Sequence, residues 1–147
     1  MTATRKLGLD DLEIGQRFVS APHEVGAAEI TRYAAEFDPQ PFHLDDDAAK
    51  DTFFQGLAAS GWHTAGITMR LVVESVPLKC GIIGGGGELL WSKPVRPGDT
   101  LTVESEVLAI TPSKSRPGQA RVDVRILTRN QHGDVVQSFS PKLVVTG

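Results

Sequence analysis

The sequence predicts an α+β fold in which an antiparallel sheet curls around one helix. The segment Gly61–Val76 is largely apolar at helical spacing, begins after a good N-cap at Ser60 and stops at Pro77. From Glu88 onward the pattern changes to strands joined by tight turns. A helix that is apolar nearly all round is a buried helix, and a meander that follows it is the natural cover.

The first elements precede the central helix. Arg17–Val25 has the composition of a strand, and Pro22 places it best at a sheet edge. Ala27–Phe37 has apolar residues at helical spacing and is predicted to be an amphipathic helix. Gly26 is an acceptable N-cap for it, and Glu29 resembles half of a capping box.

The next stretch is expected to be irregular. Pro39 and Pro41 end the helix and hold a stiff loop. Asp45 is predicted to cap a short helix through Ala48–Lys50. Beyond the central helix, Gly81–Gly87 contains five glycines and is expected to be a flexible loop.

The central helix and the strands complete the pattern. The helix is predicted to be buried on more than one side, because Ile67 and Leu71 lie on one face and another face carries these residues: Trp62, Ala65, Met69, Val72, Val73 and Val76. Four strands are predicted over Glu88–Val95, Leu101–Ile110, Arg121–Thr128 and Val135–Val145. Arg96–Asp99 and Asn130–Asp134 carry strong turn signals between them.

Length, composition and charge limit the possible functions. A chain of 147 residues is expected to form one domain, residues 1–147. The net charge of -3 gives no reason to expect nucleic acid as a partner. No apolar run reaches membrane-spanning length, and Met1–Gln16 lacks the apolar core of a signal peptide. The single cysteine, Cys80, fits a reducing compartment, so we expect a cytoplasmic protein that does not bind membranes.

Asp38 and His43 are the candidate catalytic pair. Two prolines between them prevent a shared helix face, but a stiff loop can aim both side chains at one small volume. A carboxylate and an imidazole are suited to general acid–base chemistry. By spacing alone, a turn-forming Asp38 and a half-buried loop His43 are the commoner outcome.

The segment around this pair resembles a known signature. Asp38, Pro41 and His43 match the D-x-N-P-[aliphatic]-H pattern of the MaoC-like dehydratases, with Gln40 and Phe42 departing from it. A glycine that opens the central helix and a later turn of the K-x-P-V-x-x-G-D kind are also similar to that family. In this chain these features are Gly61 and the run Lys93–Asp99. The resemblance covers the chain from about Val25 onward.

The resemblance implies a hot-dog fold, usually dimeric, and a hydratase or dehydratase activity. The substrate class would be a trans-2-enoyl thioester, or an (R)-3-hydroxyacyl thioester in the reverse direction, carried by coenzyme A or acyl carrier protein. Asp38 and His43 would share the acid and base roles. Independently, the unpaired N–H of Gly61 at a helix start suits an oxyanion, although Gly61 is as easily explained by close packing.

Other candidate substrate contacts are weaker. The Ser60 hydroxyl is a candidate contact, and the residues that could pair with coenzyme A phosphates are Lys93, Arg96, Lys114 and Arg116. The family often has histidine where Ser60 stands, and a serine of some members is replaced near Met69. We interpret Gly84–Gly87 as a mobile flap near the acyl pocket.

Two other functions stay open. A hot-dog thioesterase would need a carboxylate on the central helix, and Glu74 at its far end is the only one. A non-catalytic acyl-thioester binding module is the second. No metal or other cofactor is expected, because the four histidines lack ligand spacing. His63 is expected to be packed, His23 and His132 to lie on the surface, and Cys80 to be inert.

Overall fold

The computed structural model describes residues 5–147, and its elements follow the predicted order. Residues 1–4, the start of the segment tested for a signal peptide, lie outside this range. The helices are α1 (Ala27–Phe37), α2 (Pro41–Leu44), α3 (Asp46–Ala49) and α4 (Gly61–Ser75), after a 3-10 turn at Leu9–Asp11. The strands are β1 (Arg17–Val19), β2 (His23–Glu24), β3 (Gly84–Trp91), β4 (Thr100–Pro112), β5 (Gln119–Arg129) and β6 (Val135–Thr146).

An antiparallel sheet packs its inner face against α4. Its strand order is β1-β4-β5-β6-β3, and β2 pairs with β4 beside β1. The buried side of α4 contributes Ile67, Leu71 and Val72 to the core, and every second residue of β4 and β5 packs against them. The predicted α+β class and the hot-dog arrangement of sheet and helix are confirmed. In residues 5–147 no helix is long and apolar enough to cross a membrane.

The prediction that α4 is buried nearly all round was partly wrong. Trp62, Met69 and Val73 are 61%, 40% and 52% exposed, whereas Thr64 and Thr68 are buried. The sheet covers only one side of the helix, so the apolar residues on the other side meet solvent in the single chain. Periodicity shows that a residue is apolar, but it does not show which apolar face the sheet covers.

Three expectations about the first part of the chain were also corrected. The predicted strand Arg17–Val25 is two short strands with a break that contains Pro22. Pro41 does not prolong an irregular loop, because it occupies the first turn of α2, where its missing N–H costs nothing. Glu29 makes no capping box, since its carboxylate binds histidines instead.

The glycine-rich segment is a strand for most of its length. Gly84–Gly87 begins β3, which pairs with β6 across a bulge, so the flexible-loop interpretation of these four residues was wrong. A Cβ on Gly87 would lie 2.6 Å from the Ser140 carbonyl oxygen, and Gly86 has a φ of 119°. Glycine is therefore required by the bulge and the close approach of two backbones.

Candidate active site

The structure brings Asp38 and His43 together. Asp38 is the residue that ends α1, and its backbone N–H donates to the Ala34 carbonyl. His43 lies in α2, which Pro41 starts, and its side chain is buried. The His43 Nε2 is 3.4 Å from the Asp38 Oδ2. Two helix ends thus aim the pair at one volume.

The orientation of the imidazole is set by a backbone carbonyl. His43 Nδ1 is 2.6 Å from the Ala58 oxygen, and because a carbonyl can only accept, Nδ1 carries the proton. In a neutral ring Nε2 is then an acceptor that faces the Asp38 carboxylate, another acceptor. Such an arrangement suits a water molecule that donates one hydrogen to each group.

Asp38 is kept in its ionised form. Burial raises the pKa of this carboxyl, but hydrogen bonds from Ser60 and Gln40, together with His43, lower the pKa by more, so it lies below its ordinary value. The Gln40 Nε2 donates to Asp38 Oδ1 at 2.6 Å. Asp38 is therefore a carboxylate at neutral pH, which is able to orient water or stabilise an imidazolium.

Arg96 holds the segment that supplies the Ala58 carbonyl. Its guanidinium donates to the carbonyls of Phe54, Gly56 and Leu57, at 3.0 and 3.2 Å for the last two. At least three hydrogen bonds thus engage the Arg96 guanidinium within the protein, and its binding of coenzyme A phosphates stays a prediction. The sequence did not indicate these carbonyls, which lie about forty residues away.

Gly61 lies beside a tryptophan. A Cβ on Gly61 would be 2.6–2.9 Å from atoms of the Trp91 indole, closer than any side chain tolerates. The close-packing explanation of this glycine thus has direct support. Gly61 is also the first residue of α4, and among the described residues its N–H has no recorded hydrogen-bond acceptor. Both explanations of the glycine remain compatible with the geometry.

An open cleft connects these groups. Its volume is about 460 Å³, and Asp38, His43 and Gly61 all line it. The other lining residues are Phe53, Phe54, Ala59, Trp62, Thr64, Trp91, Ser92, Lys93, Pro94 and Val95. The cleft therefore places an acid–base pair, a free helix N–H and aromatic walls around one space large enough for a small acyl group.

The other predicted contact residues divide into three cases. Ser60 is fully buried, caps α4 by accepting from the Trp62 N–H and lowers the pKa of Asp38, and its contact with substrate stays a prediction. Lys93 lines the cleft and forms an ion pair with Asp134 at 2.7 Å. Lys114 and Arg116 lie on the hairpin between β4 and β5, at the opposite end of the sheet from the cleft, and within one chain they do not belong to this site.

Sequence reasoning missed the residues that support the pair. Gln40 holds Asp38, and the carbonyl of Ala58 holds His43. Trp91 and Phe54 line the cleft. A departure from the family signature marked Gln40, but nothing in the sequence marked the other three, since their roles arise from contacts between distant segments.

The remaining titratable candidates lie elsewhere. His63 is packed, as predicted, with its Nε2 3.0 Å from Glu29 and its ring stacked on Tyr33. His23 is half-buried against the same carboxylate, so its placement on the open surface was wrong. Glu74 is exposed and paired with Arg70, outside the residues that line the cleft.

Comparison with known proteins points in one direction. A family model described as a MaoC like domain matches residues 11–129. The crystal structure of a MaoC-like dehydratase from Rhodospirillum rubrum is 61% identical, covers 95% of this chain and 97% of that one, and has a TM-score of 0.93. An uncharacterized protein of Bacillus subtilis, YdeM, is 37% identical over 112 residues, 75% of this chain and 79% of that protein. An (R)-specific enoyl-CoA hydratase of Aeromonas caviae is 34% identical over 109 residues, 74% of this chain and 80% of that protein.

Proposed function

Since the chain belongs to the MaoC-like family, we propose that it hydrates trans-2-enoyl thioesters, or dehydrates (R)-3-hydroxyacyl thioesters in the reverse direction. The observation that carries this proposal is the facing of His43 Nε2 and the Asp38 carboxylate, 3.4 Å apart, in a cleft that includes Gly61. The name of the Aeromonas caviae relative supports the same chemistry, although the sequence identity is modest.

The contact of His43 Nδ1 with the Ala58 carbonyl supports the following proton path. A water between the pair donates one hydrogen to Nε2 and one to the Asp38 carboxylate. As the water oxygen bonds to the β-carbon, Nε2 takes a proton and the electrons of the double bond move toward the thioester oxygen. The imidazolium, stabilised by Asp38, then returns the proton to the α-carbon. The net result is addition of one water across the double bond, with Asp38 ionised throughout.

The Gly61 N–H is the donor that we assign to the enolate oxygen. It lies at the positive end of the α4 dipole, where negative charge is favoured. A donor aimed at charge that develops in the transition state lowers the barrier by ~3–4 kcal/mol. The carrier is coenzyme A or acyl carrier protein, and Lys93 is the remaining cleft cation for its phosphates.

The decisive experiment follows the enoyl absorbance and free thiol together, with crotonyl-CoA as substrate. Asp38→Asn and His43→Ala should each abolish the loss of enoyl signal without unfolding the protein. Asp47→Asn and His132→Ala are matched controls, since both residues are exposed and outside the cleft. Thiol release would show a thioesterase, and binding without either signal would show a non-catalytic module; both outcomes contradict the proposal.

Self-association is part of the same proposal. The edge strand β3 is unpaired on its outer side within the described chain, and Trp62, Met69 and Val73 expose apolar surface on α4. Free strand edges and apolar faces of this kind are usually covered. We expect a homodimer, and Val73→Lys should shift its mass in solution toward that of the monomer, whereas Arg70→Lys should not. A wild-type protein that is monomeric at micromolar concentration would contradict this expectation.

A further inference from the structure

Trp91 is 44% exposed and lines the cleft, and its position is fixed by a cross-strand partner. It lies opposite Gln137 in the pairing of β3 and β6, and its Nε1 donates to the Gln137 side-chain oxygen at 2.9 Å. The ring also packs edge-on against Trp62, with centroids 5.1 Å apart. Its atoms lie directly against Gly61. The indole is thus held from two sides.

Behind the indole is a layer of buried polar side chains. The Gln137 amide donates to the Thr68 hydroxyl at 3.2 Å, and the Thr68 and Thr128 hydroxyls are 2.6 Å apart. Gln137 and Thr128 are 1% and 0% exposed. These side chains satisfy each other's hydrogen bonds. An acyl chain that displaced one of them would leave the others buried without partners, which costs free energy.

This layer lies where an acyl tail would otherwise enter the core. A thioester whose oxygen reaches the Gly61 N–H has the Trp91 ring in contact with the same residue. Beyond the ring, between α4 and the sheet, lie the polar side chains of Gln137, Thr68 and Thr128. Two of the other apolar residues that line the cleft, Phe53 and Trp62, are 93% and 61% exposed in the single chain.

We propose that Trp91, anchored by Gln137, is the specificity-determining residue that restricts the acyl group to short chains. The inference rests on the proposed function, because it takes the Gly61 N–H as the thioester position. It adds a limit on length that the acid–base pair does not impose. A four-carbon enoyl group fits in front of the ring, and an eight-carbon group meets it.

The test compares crotonyl-CoA with trans-2-octenoyl-CoA. The wild-type kcat/KM should fall at least about tenfold from the shorter to the longer ester, and Trp91→Ala should remove that difference. Trp91→Phe keeps a flat ring and should keep the preference. Leu108→Ala, which removes an exposed apolar group outside the cleft, is the matched control. Trp91→Leu replaces Trp91→Ala if the latter does not fold.

The possible results separate the two proposals. If wild type has equal kcat/KM values for the two esters, or if Trp91→Ala lowers kcat/KM equally for both, the proposed limit on acyl chain length is overturned. The proposed hydratase activity is then unaffected. If no enoyl ester is turned over, the proposed hydratase activity is overturned. Calorimetric binding of butyryl-CoA and octanoyl-CoA then tests the limit on acyl chain length by itself. The limit on chain length is supported if wild type binds butyryl-CoA more tightly than octanoyl-CoA and Trp91→Ala reverses this order. Equal binding of the two esters, or no binding, overturns it.

Discussion

Replacing Gly61 by alanine tests whether this glycine is needed for packing, for catalysis or for both. The backbone of Gly61 lies outside the left-handed region, so alanine costs nothing there through strain. Its Cβ would lie 2.6 Å from Trp91 Cε2, about 1 Å inside the normal separation of carbon atoms. Moving the ring would strain its bond to Gln137. Overpacking of this size lowers the free energy of unfolding by about 1–3 kcal/mol.

A double-mutant cycle isolates the contact. Trp91→Ala removes the ring, so Gly61→Ala in that background should cost almost nothing, and the coupling between the two changes should be at least about 1 kcal/mol. Urea denaturation of the four proteins at one fixed concentration measures it. The double variant should fold, but it should hydrate crotonyl-CoA slowly if the new methyl group keeps the thioester away from the backbone N–H of residue 61. Equal destabilisation by Gly61→Ala in both backgrounds would refute the packing argument.

Three further predictions concern Arg96, Asp38 and His63. Arg96→Met should lower the free energy of unfolding by about 1–3 kcal/mol, because three loop carbonyls lose their donor, and urea denaturation with or without this change checks it. The carboxyl of Asp38 has a lowered pKa, so the stability that wild type gains over Asp38→Asn should shrink as the pH falls below about 4, as urea denaturation at each pH would show. Burial lowers the pKa of His63 by more than Glu29 raises it, so wild type should lose stability as the pH falls below about 6.5. His63→Phe, which keeps a ring against Tyr33, should lose less between pH 7 and 5 when unfolding is measured at each pH; an equal loss would exclude His63 as the cause.

The local signals in the sequence were sufficient for most elements. The bounds of α1 were predicted without error, and Ser60 caps α4 as its residue type indicates. Turn residues placed the hairpin at Asn130–Asp134 and the turn at Arg96–Asp99, whereas no turn was predicted for the hairpin between β4 and β5. These features depend on contacts between near neighbours in the chain, which composition and spacing describe well.

Most of the errors concern contacts between distant segments, although the start of α2 at Pro41 was a local one. The glycines of Gly84–Gly87 resemble a loop until the neighbouring strand is known, because their pairing partners lie on β6. Trp62 is apolar in sequence and exposed in the fold, since the sheet covers the other side of α4. The hydrogen bonds from Arg96 to three carbonyls of another segment were likewise not predicted.

The two segments that carry the family resemblance are physically one unit. The turn at Lys93–Asp99 is closed by the Asp99 carboxylate, which accepts from the Arg96 N–H. That turn holds the segment before α4 twice, through the Arg96 guanidinium and through a bond of 2.9 Å from the Ala59 N–H to the Val95 carbonyl. Ala58, next to Ala59, is the residue that fixes the His43 tautomer. A turn far from Asp38 and His43 in sequence therefore helps to hold the backbone carbonyl that accepts from His43 Nδ1.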